Sequence, residues 1–468
     1  MNKFLFNKLL QNQGWNDNVL ISTDENGIIT SIENNSDDSA ATKINGFALP
    51  GFQNAHSHAF QYAMAGLAEV HDISHTSDDF WSWRKAMYDL ALSVSPDQME
   101  AIAAMLYSEM VRHGYTNVAE FHYVHHDKNG QKYGNLAEMG TRMIAAAEKA
   151  GINITLTPIF YQKGGFGKAP TEGQRRFISP TIDDYLKLLE ASKEACENYD
   201  GANIAIGIHS MRGVAPIDIA EIAKNGPQDI PFHIHISEQL KEIEDSLGYL
   251  DKRPVEWLLE NVELSDRFHL VHATHLTEQE TVGIAKSEAN VVLCPSTEGN
   301  LGDGLFPLAN FQNAGGKWSI GTDSHIGINP LEELKLLDYG QRLISHKRNI
   351  FNSTTEGNSG SFAIEMATIA GRKAMNNFET DYFKVGEPLN ASILDANAPL
   401  LATSSNDKLS SAIVYTADAT NQLGTIVKGR LSLAPRHASA TKQEFGGLRN
   451  RQEVLRDFKK VIAELGNR

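Results

Sequence analysis

QNAHSHAF (53–60), YTNVAEFHY (115–123), INITLTPIF (152–160), NIAIGIHSM (203–211), PFHIHISE (231–238), FHLVHATH (268–275), NVVLCPST (290–297) and KWSIGTDSH (317–325) are short apolar segments spread along the chain. Each has the length and the β-branched or aromatic content of a buried strand. Helical stretches separate them. After Ser95, which can cap, Pro96 suits a first helical turn and Asp97 complements the dipole. Ile102, Leu106 and Met110 then recur at helical spacing, and Gly114 stops the helix before the next strand. Thr277 and Glu280 stand in capping-box spacing at the start of another helix. Eight strands alternating with helices predict an α/β chain of the (β/α)8 barrel type. The alternative is a doubly wound open sheet, but no G-x-G-x-x-G follows the first strand.

Outward from this region the pattern changes. Residues 19–33 (VLISTDENGIITSIE) read as two short strands around the turn Asp-Glu-Asn-Gly. ASILDAN (391–397), SAIVYT (411–416) and TIVKGRL (425–431) read as further strands near the other end. Chain termini often lie close together, so 1–48 and 385–435 are expected to share one small β domain. The barrel then occupies 49–384, and 436–468 is a helical segment.

The bulk numbers suit a globular enzyme: 468 residues, 41% apolar and 21% charged. No apolar run reaches the roughly 18 residues of a membrane span. The N-terminal apolar residues are interrupted by Asn, Lys and Gln, so no signal h-region is expected. Cys196 and Cys294 are too few for a disulfide scaffold, which fits a reducing cytoplasm. A net charge of −16 argues against a nucleic-acid partner. It also means that an anionic substrate must be held by local cations against the overall field.

Barrel enzymes keep their chemistry at the C-terminal ends of the strands, and here those ends are crowded with ionisable residues. His56-Ser57-His58 puts two imidazoles on one face of a strand, because side chains repeat every two residues. HIHISE (233–238) delivers His235, with Glu238 three residues on; VHATH brings His272, and GTDSH brings Asp323. An H-x-H pair alone is weak, since paired strand histidines are commonly packed or hydrogen-bonded. The whole order, on separate strand ends, is far more specific. His56, His58, His235 and Asp323 would hold one divalent ion and leave a position for water, as catalytic zinc sites do. Zinc so held lowers the pKa of a water to roughly 7.

PGFQNAHSHAFQYAMAGLAE (50–69), EFHYVHHD (120–127), GQRRFI (173–178), HIHISEQ (233–239), STEGNLGDG (296–304) and IGTDSH (320–325) carry a resemblance. The chain resembles the amidohydrolase superfamily, and within it the formimidoylglutamate deiminases, over about residues 45–350 and more loosely at the ends. The resemblance implies a metal-binding barrel plus a small β-sandwich built from both chain ends. It implies hydrolytic deimination of N-formimidoyl-L-glutamate to N-formyl-L-glutamate and ammonia, in histidine breakdown. Binuclear members carry a lysine at the end of the fourth strand; none lies in 203–212, so one metal is expected.

Glu238 can donate to the imine nitrogen as a general acid; the resemblance gives His272 a part in water activation, and Asp323 can ligate and also take a proton. The substrate has two carboxylates. Arg212, at the fourth strand end beside His209, can grip one bidentately, or form a salt bridge at the barrel rim. The resemblance adds Gln61, Arg84 and Tyr123 as substrate contacts; by the residues alone, Arg84 in FWSWRKAMY could instead be a surface arginine stacked on Trp81 or Trp83, and Tyr123 a packed aromatic. His122, His125 and His126 read as supporting or loop residues, with His233 and Glu120 behind the ligands. Cys294 reads as a packed thiol. An aminohydrolase acting on a heterocyclic base such as guanine or cytosine is the second reading, and a catalytically silent barrel the third. The expected partners are a small carboxylate-bearing substrate and a second copy of the chain, with neither nucleic acid nor membrane.

Overall fold

All eight apolar segments form parallel strands of one sheet in the computed structural model, which describes residues 2–67, 69, 80–433 and 447–466. They are β1 (Phe52–Ser57), β2 (Tyr115–His122), β3 (Asn153–Phe160), β4 (Ile206–Ser210), β5 (Phe232–Ile236), β6 (Phe268–His272), β7 (Asn290–Leu293) and β8 (Lys317–Ile320). They pair in chain order, as a parallel barrel requires. The fourth segment is interrupted: Ala202–Ile204 pairs with the start of β3, and β4 resumes at Ile206.

Closure between the last strand and the first is made beyond the end of β8 rather than by a regular ladder. The N–H groups of Thr322 and Asp323 donate to the His56 carbonyl at 3.1 and 3.0 Å, and the His58 N–H donates to the Asp323 carbonyl at 3.2 Å. Gly321 permits this approach: a Cβ there would lie 2.7 Å from the His56 Cβ and 2.9 Å from its backbone nitrogen. The bonds that close the barrel therefore also bring His56, His58 and Asp323 together.

The surrounding helices follow the sequence signals. Ser95 and Gln98 form a reciprocal capping box on helix Pro96–Arg112, and Gly114 takes a φ of 96° just before β2. Thr277 and Glu280 cap helix Glu278–Lys286 in the same way. Burial of apolar side chains such as Trp318, Phe160, Phe232 and Phe268 fills the layers of the barrel and the space beneath the helices.

Both chain ends supply one mixed seven-stranded sheet. Its order is Arg430–Leu433, Gln422–Val427, Ala391–Asp395, Thr42–Pro50, Asn2–Gln11, Gly14–Thr23 and Ile29–Glu33. Phe6, Val19, Ile21, Ala48, Ile393 and Ile426 form its core. Two terminal readings need correction. SAIVYT (411–416) is the end of a helix, Asn406–Thr416, which buries Leu409, Ile413 and Val414 at helical spacing. TIVKGRL contains two strands, because Lys428 and Gly429, at φ 47° and 71°, turn the chain back on itself. At the C-terminus, helix Gly447–Glu464 lies on Pro96–Arg112, where Arg451 pairs with Glu109. Among the described residues no helix is long and apolar enough to cross a membrane.

Candidate active site

The expected ligands converge. The Nε2 atom of His56 lies 3.1 Å from that of His58 and 3.0 Å from that of His235. Asp323 Oδ1 stands 3.5 Å from His56 Nε2 and 3.3 Å from His58 Nε2. All four residues are buried. His58 donates its Nδ1–H to the Phe121 carbonyl at 2.7 Å, and His235 donates its own to the His209 carbonyl at 3.0 Å. Carbonyls only accept, so in the neutral rings both Nε2 atoms carry lone pairs turned inward. Burial holds these imidazoles neutral, bringing His56 down to about 3 and His235 well below its ordinary range.

Inward lone pairs at such separations are relieved by a ring proton on His56 Nε2 or by a cation. Metal–ligand bonds of about 2.0–2.1 Å in a tetrahedral site put ligand atoms about 3.3–3.4 Å apart. The separations given bracket that value, so His56, His58 and His235 form one group able to hold a divalent ion; Asp323 reaches two of them and also stands in a second group with His272 and Cys294. Burial would raise the Asp323 carboxyl, but the adjoining His56, His58 and His272 rings hold it below the usual carboxylate range.

Backbone conformation is unusual at the same strand ends. Ser237 (φ 52°), His272 (φ 69°), Ala273 (φ 50°), Asp323 (φ 44°) and His325 (φ 66°) are left-handed without being glycine. Such residues cost of the order of 1–3 kcal/mol each and gather where a site dictates the backbone.

A cleft of about 430 Å³ opens above the ligands. Gln61, Arg84, Tyr123, His209, Arg212, Glu238, His272 and Asp323 all line it, so it gathers every substrate-contacting and acid–base residue expected from the sequence. Gln61 donates to the Tyr123 hydroxyl at 3.0 Å. Arg212 donates to Glu238 Oε2 at 2.9 Å and lies 3.7 Å from Glu242, a buried carboxylate that also accepts the N–H groups of Ser237 and Glu238. The salt-bridge reading of Arg212 is thus realised, inside the cleft and with the expected acid. Arg84 donates to Tyr88 at 2.6 Å and to Tyr161 at 3.3 Å, with its guanidinium 5.0 Å from the Tyr88 ring centre.

Four participants went unnoticed in the sequence. Tyr161 lines the cleft, accepts a hydrogen bond from Gln174 at 2.8 Å and lies tilted against the His209 ring, with centres 4.0 Å apart. Lys168 supplies a further cation to the wall. Glu242 backs Arg212. Glu298 reaches His272 Nδ1 at 3.3 Å. Burial opposes a charge on His272, yet Glu298, Glu238 and Asp323 together push it up to about 10. Nothing in the one-dimensional pattern ties these residues to the strands they serve.

The supporting residues divide. Glu120 accepts from the Ser57 hydroxyl at 2.6 Å and the Ala59 N–H at 2.7 Å, bracing both sides of His58. His233 instead bonds the Ala374 carbonyl and stacks on His269 at 4.8 Å, away from the ligands. His125 and His126 are fixed to the carbonyls of Ile159 and Ile178, with His122 packed on His125. Both thiols are free and buried; Cys294 packs with Ala55, Val271 and Val292.

The profile of the Amidohydrolase family matches residues 47–432. The chain is 41% identical over 431 residues to the formimidoylglutamate deiminase of Pseudomonas aeruginosa, covering 92% of this chain and 94% of that one. A crystal structure of an amidohydrolase from Brucella melitensis superposes with a TM-score of 0.90 at 38% identity, over 99% of this chain and 100% of the other. An adenosine deaminase from Xanthomonas campestris with bound zinc shares the fold at a TM-score of 0.77 and 17% identity, over 98% of each chain.

Proposed function

We propose that this chain, which belongs to the amidohydrolase family, hydrolyses N-formimidoyl-L-glutamate to N-formyl-L-glutamate and ammonia. The observation that carries the substrate assignment is the pairing of a metal-binding set with two arginines in one small cleft. Arg84 and Arg212 offer planar, charge-assisted hydrogen bonding suited to the two carboxylates of the substrate. A neutral purine or pyrimidine has no use for them, so the heterocyclic-base reading is the weaker one.

His56, His58, His235 and Asp323 would hold a divalent ion, which we take to be zinc, and the bound ion would supply a water acidic enough to react near neutral pH. The chain's own residues do the rest. Arg84, Gln61, Tyr123, His209 and Arg212 orient the substrate so that its formimino carbon faces the ligand end of the cleft. Oxygen adds to that carbon and the bond to the terminal nitrogen breaks. Asp323 Oδ2 and His272 Nε2, 3.8 Å apart, border the position of the attacking water. Glu238, held as a carboxylate by Arg212, takes the two protons of the water in turn and passes each to the terminal nitrogen, which leaves as ammonia.

The reading extends to a cytoplasmic homodimer working in histidine breakdown; sedimentation of the purified protein tests the dimer. Ammonia release tests the activity. The zinc-loaded protein should turn over N-formimidoyl-L-glutamate and leave guanine, cytosine and adenosine untouched. Turnover of a base with no release from the formimino compound would reverse the assignment.

A further inference from the structure

Glu298 sits on the short helix Pro295–Leu301 that follows β7, only 4% exposed, and does not line the cleft. Its Oε1 accepts the Cys294 N–H at 2.9 Å, and its own N–H returns to the Cys294 carbonyl at 2.9 Å. Side chain and backbone of Glu298 are thus both tied to Cys294. The same oxygen lies 3.3 Å from His272 Nδ1. On the other side of the ring, His272 Nε2 lies 3.8 Å from Asp323 Oδ2 and faces the cleft.

We propose that Glu298 is a positioning residue for the deimination: its hydrogen bond with Nδ1 holds the His272 ring so that Nε2 faces the reacting water. A carboxylate can only accept, so His272 donates to it from Nδ1, and Nε2 is the nitrogen left for the cleft. The ring is flanked by Glu298 behind and Asp323 in front. The arrangement follows the logic of a buried acid that orients a catalytic imidazole without touching substrate. Capping alone does not account for Glu298. A neutral Asn or Ser caps an N–H group as well, whereas a buried carboxylate calls for a partner able to carry positive charge.

This inference rests on the deiminase reading, so its test includes a readout that needs no substrate. In histidine-labelled protein, the nitrogen resonances of His272, identified by their loss in His272→Gln, should show Nδ1 carrying a proton whether or not Nε2 does. A bare Nδ1 overturns the proposal. In kinetics, Glu298→Gln keeps the shape and loses the charge. Its kcat should fall about 10–100-fold, with KM within about threefold and metal content as in the unaltered protein. Unchanged kcat overturns the proposal, as does a loss that tracks metal loss or unfolding in both Glu298→Gln and Glu298→Asp. If the unaltered protein releases no ammonia from N-formimidoyl-L-glutamate, the proposed function fails on its own, and the proton position on His272 still decides this inference.

Discussion

Replacing Arg212 by Met separates two roles that the structure superimposes on one side chain. Arg212 touches Glu238 at 2.9 Å and lies 3.7 Å from Glu242, and the three side chains are 12%, 8% and 0% exposed. Removing the cation leaves two neighbouring carboxylates without their countercharge, which costs about 3–5 kcal/mol when such a pair is buried. A second loss falls on the substrate, because truncating a charge-assisted contact of this kind costs about 3–4 kcal/mol, or about 10²–10³-fold in kcat/KM. The double variant Arg212→Met/Glu242→Gln tells them apart. Neutralising Glu242 relieves most of the destabilisation, since the remaining carboxylate, Glu238, borders the cleft. It restores no grip on substrate. Urea midpoints should therefore drop in the single variant and recover in the double, while ammonia release stays low in both. Recovery of kcat/KM alongside stability would show that Arg212 serves the fold alone, and an unchanged midpoint in the single variant would refute the burial argument.

Further expectations follow from individual contacts. Glu238→Gln should lower kcat by about 10²–10⁴-fold while metal content is retained, as loss of a general acid–base group does; equal rates would remove Glu238 from the chemistry. Tyr161→Phe deletes the hydroxyl that accepts from Gln174 and Arg84. That change should raise KM about tenfold, the scale of a hydrogen bond to a charged group, with kcat little changed. His113 is held neutral by burial and by the neighbouring Arg112, which lowers it to about 4. A depressed folded value means that the unfolded chain binds the proton first, so stability present above pH 6.5 is lost as pH falls towards 4, by about 3 kcal/mol in all. His113→Asn should flatten that acid limb in denaturant titrations at successive pH values; an unaltered limb would contradict the assignment.

The barrel was legible because each strand is a short apolar run ending in polar residues, a pattern that survives without knowledge of tertiary contacts. The clustering of His56, His58 and His235 was legible for the same reason, since each stands at a strand end. Terminal elements were harder to read. SAIVYT is rich in β-branched residues, and six residues are too few to reveal the helical spacing that links Leu409 to Ile413. Lys428-Gly429 lacks the Asn or Asp that usually announces a tight hairpin. Glu298, Glu242 and Tyr161 escaped notice because each lies beyond its strand, and only barrel closure brings it to His272, Arg212 or Arg84. Arg212 shows the converse: its position at a strand end was readable, but its pairing with Glu238 depends on how β4 and β5 are aligned, where the register shifts at His235.

The account depends on one ion sharing His56, His58, His235 and Asp323. X-ray absorption on the zinc-loaded protein, with metal content measured on the same sample, tests it most directly. One zinc per chain with only nitrogen and oxygen neighbours at about 2.0–2.2 Å is the expected result, and it should vanish in His235→Ala. Two ions per chain, a sulfur neighbour near 2.3 Å, or a spectrum indifferent to His235 would contradict it.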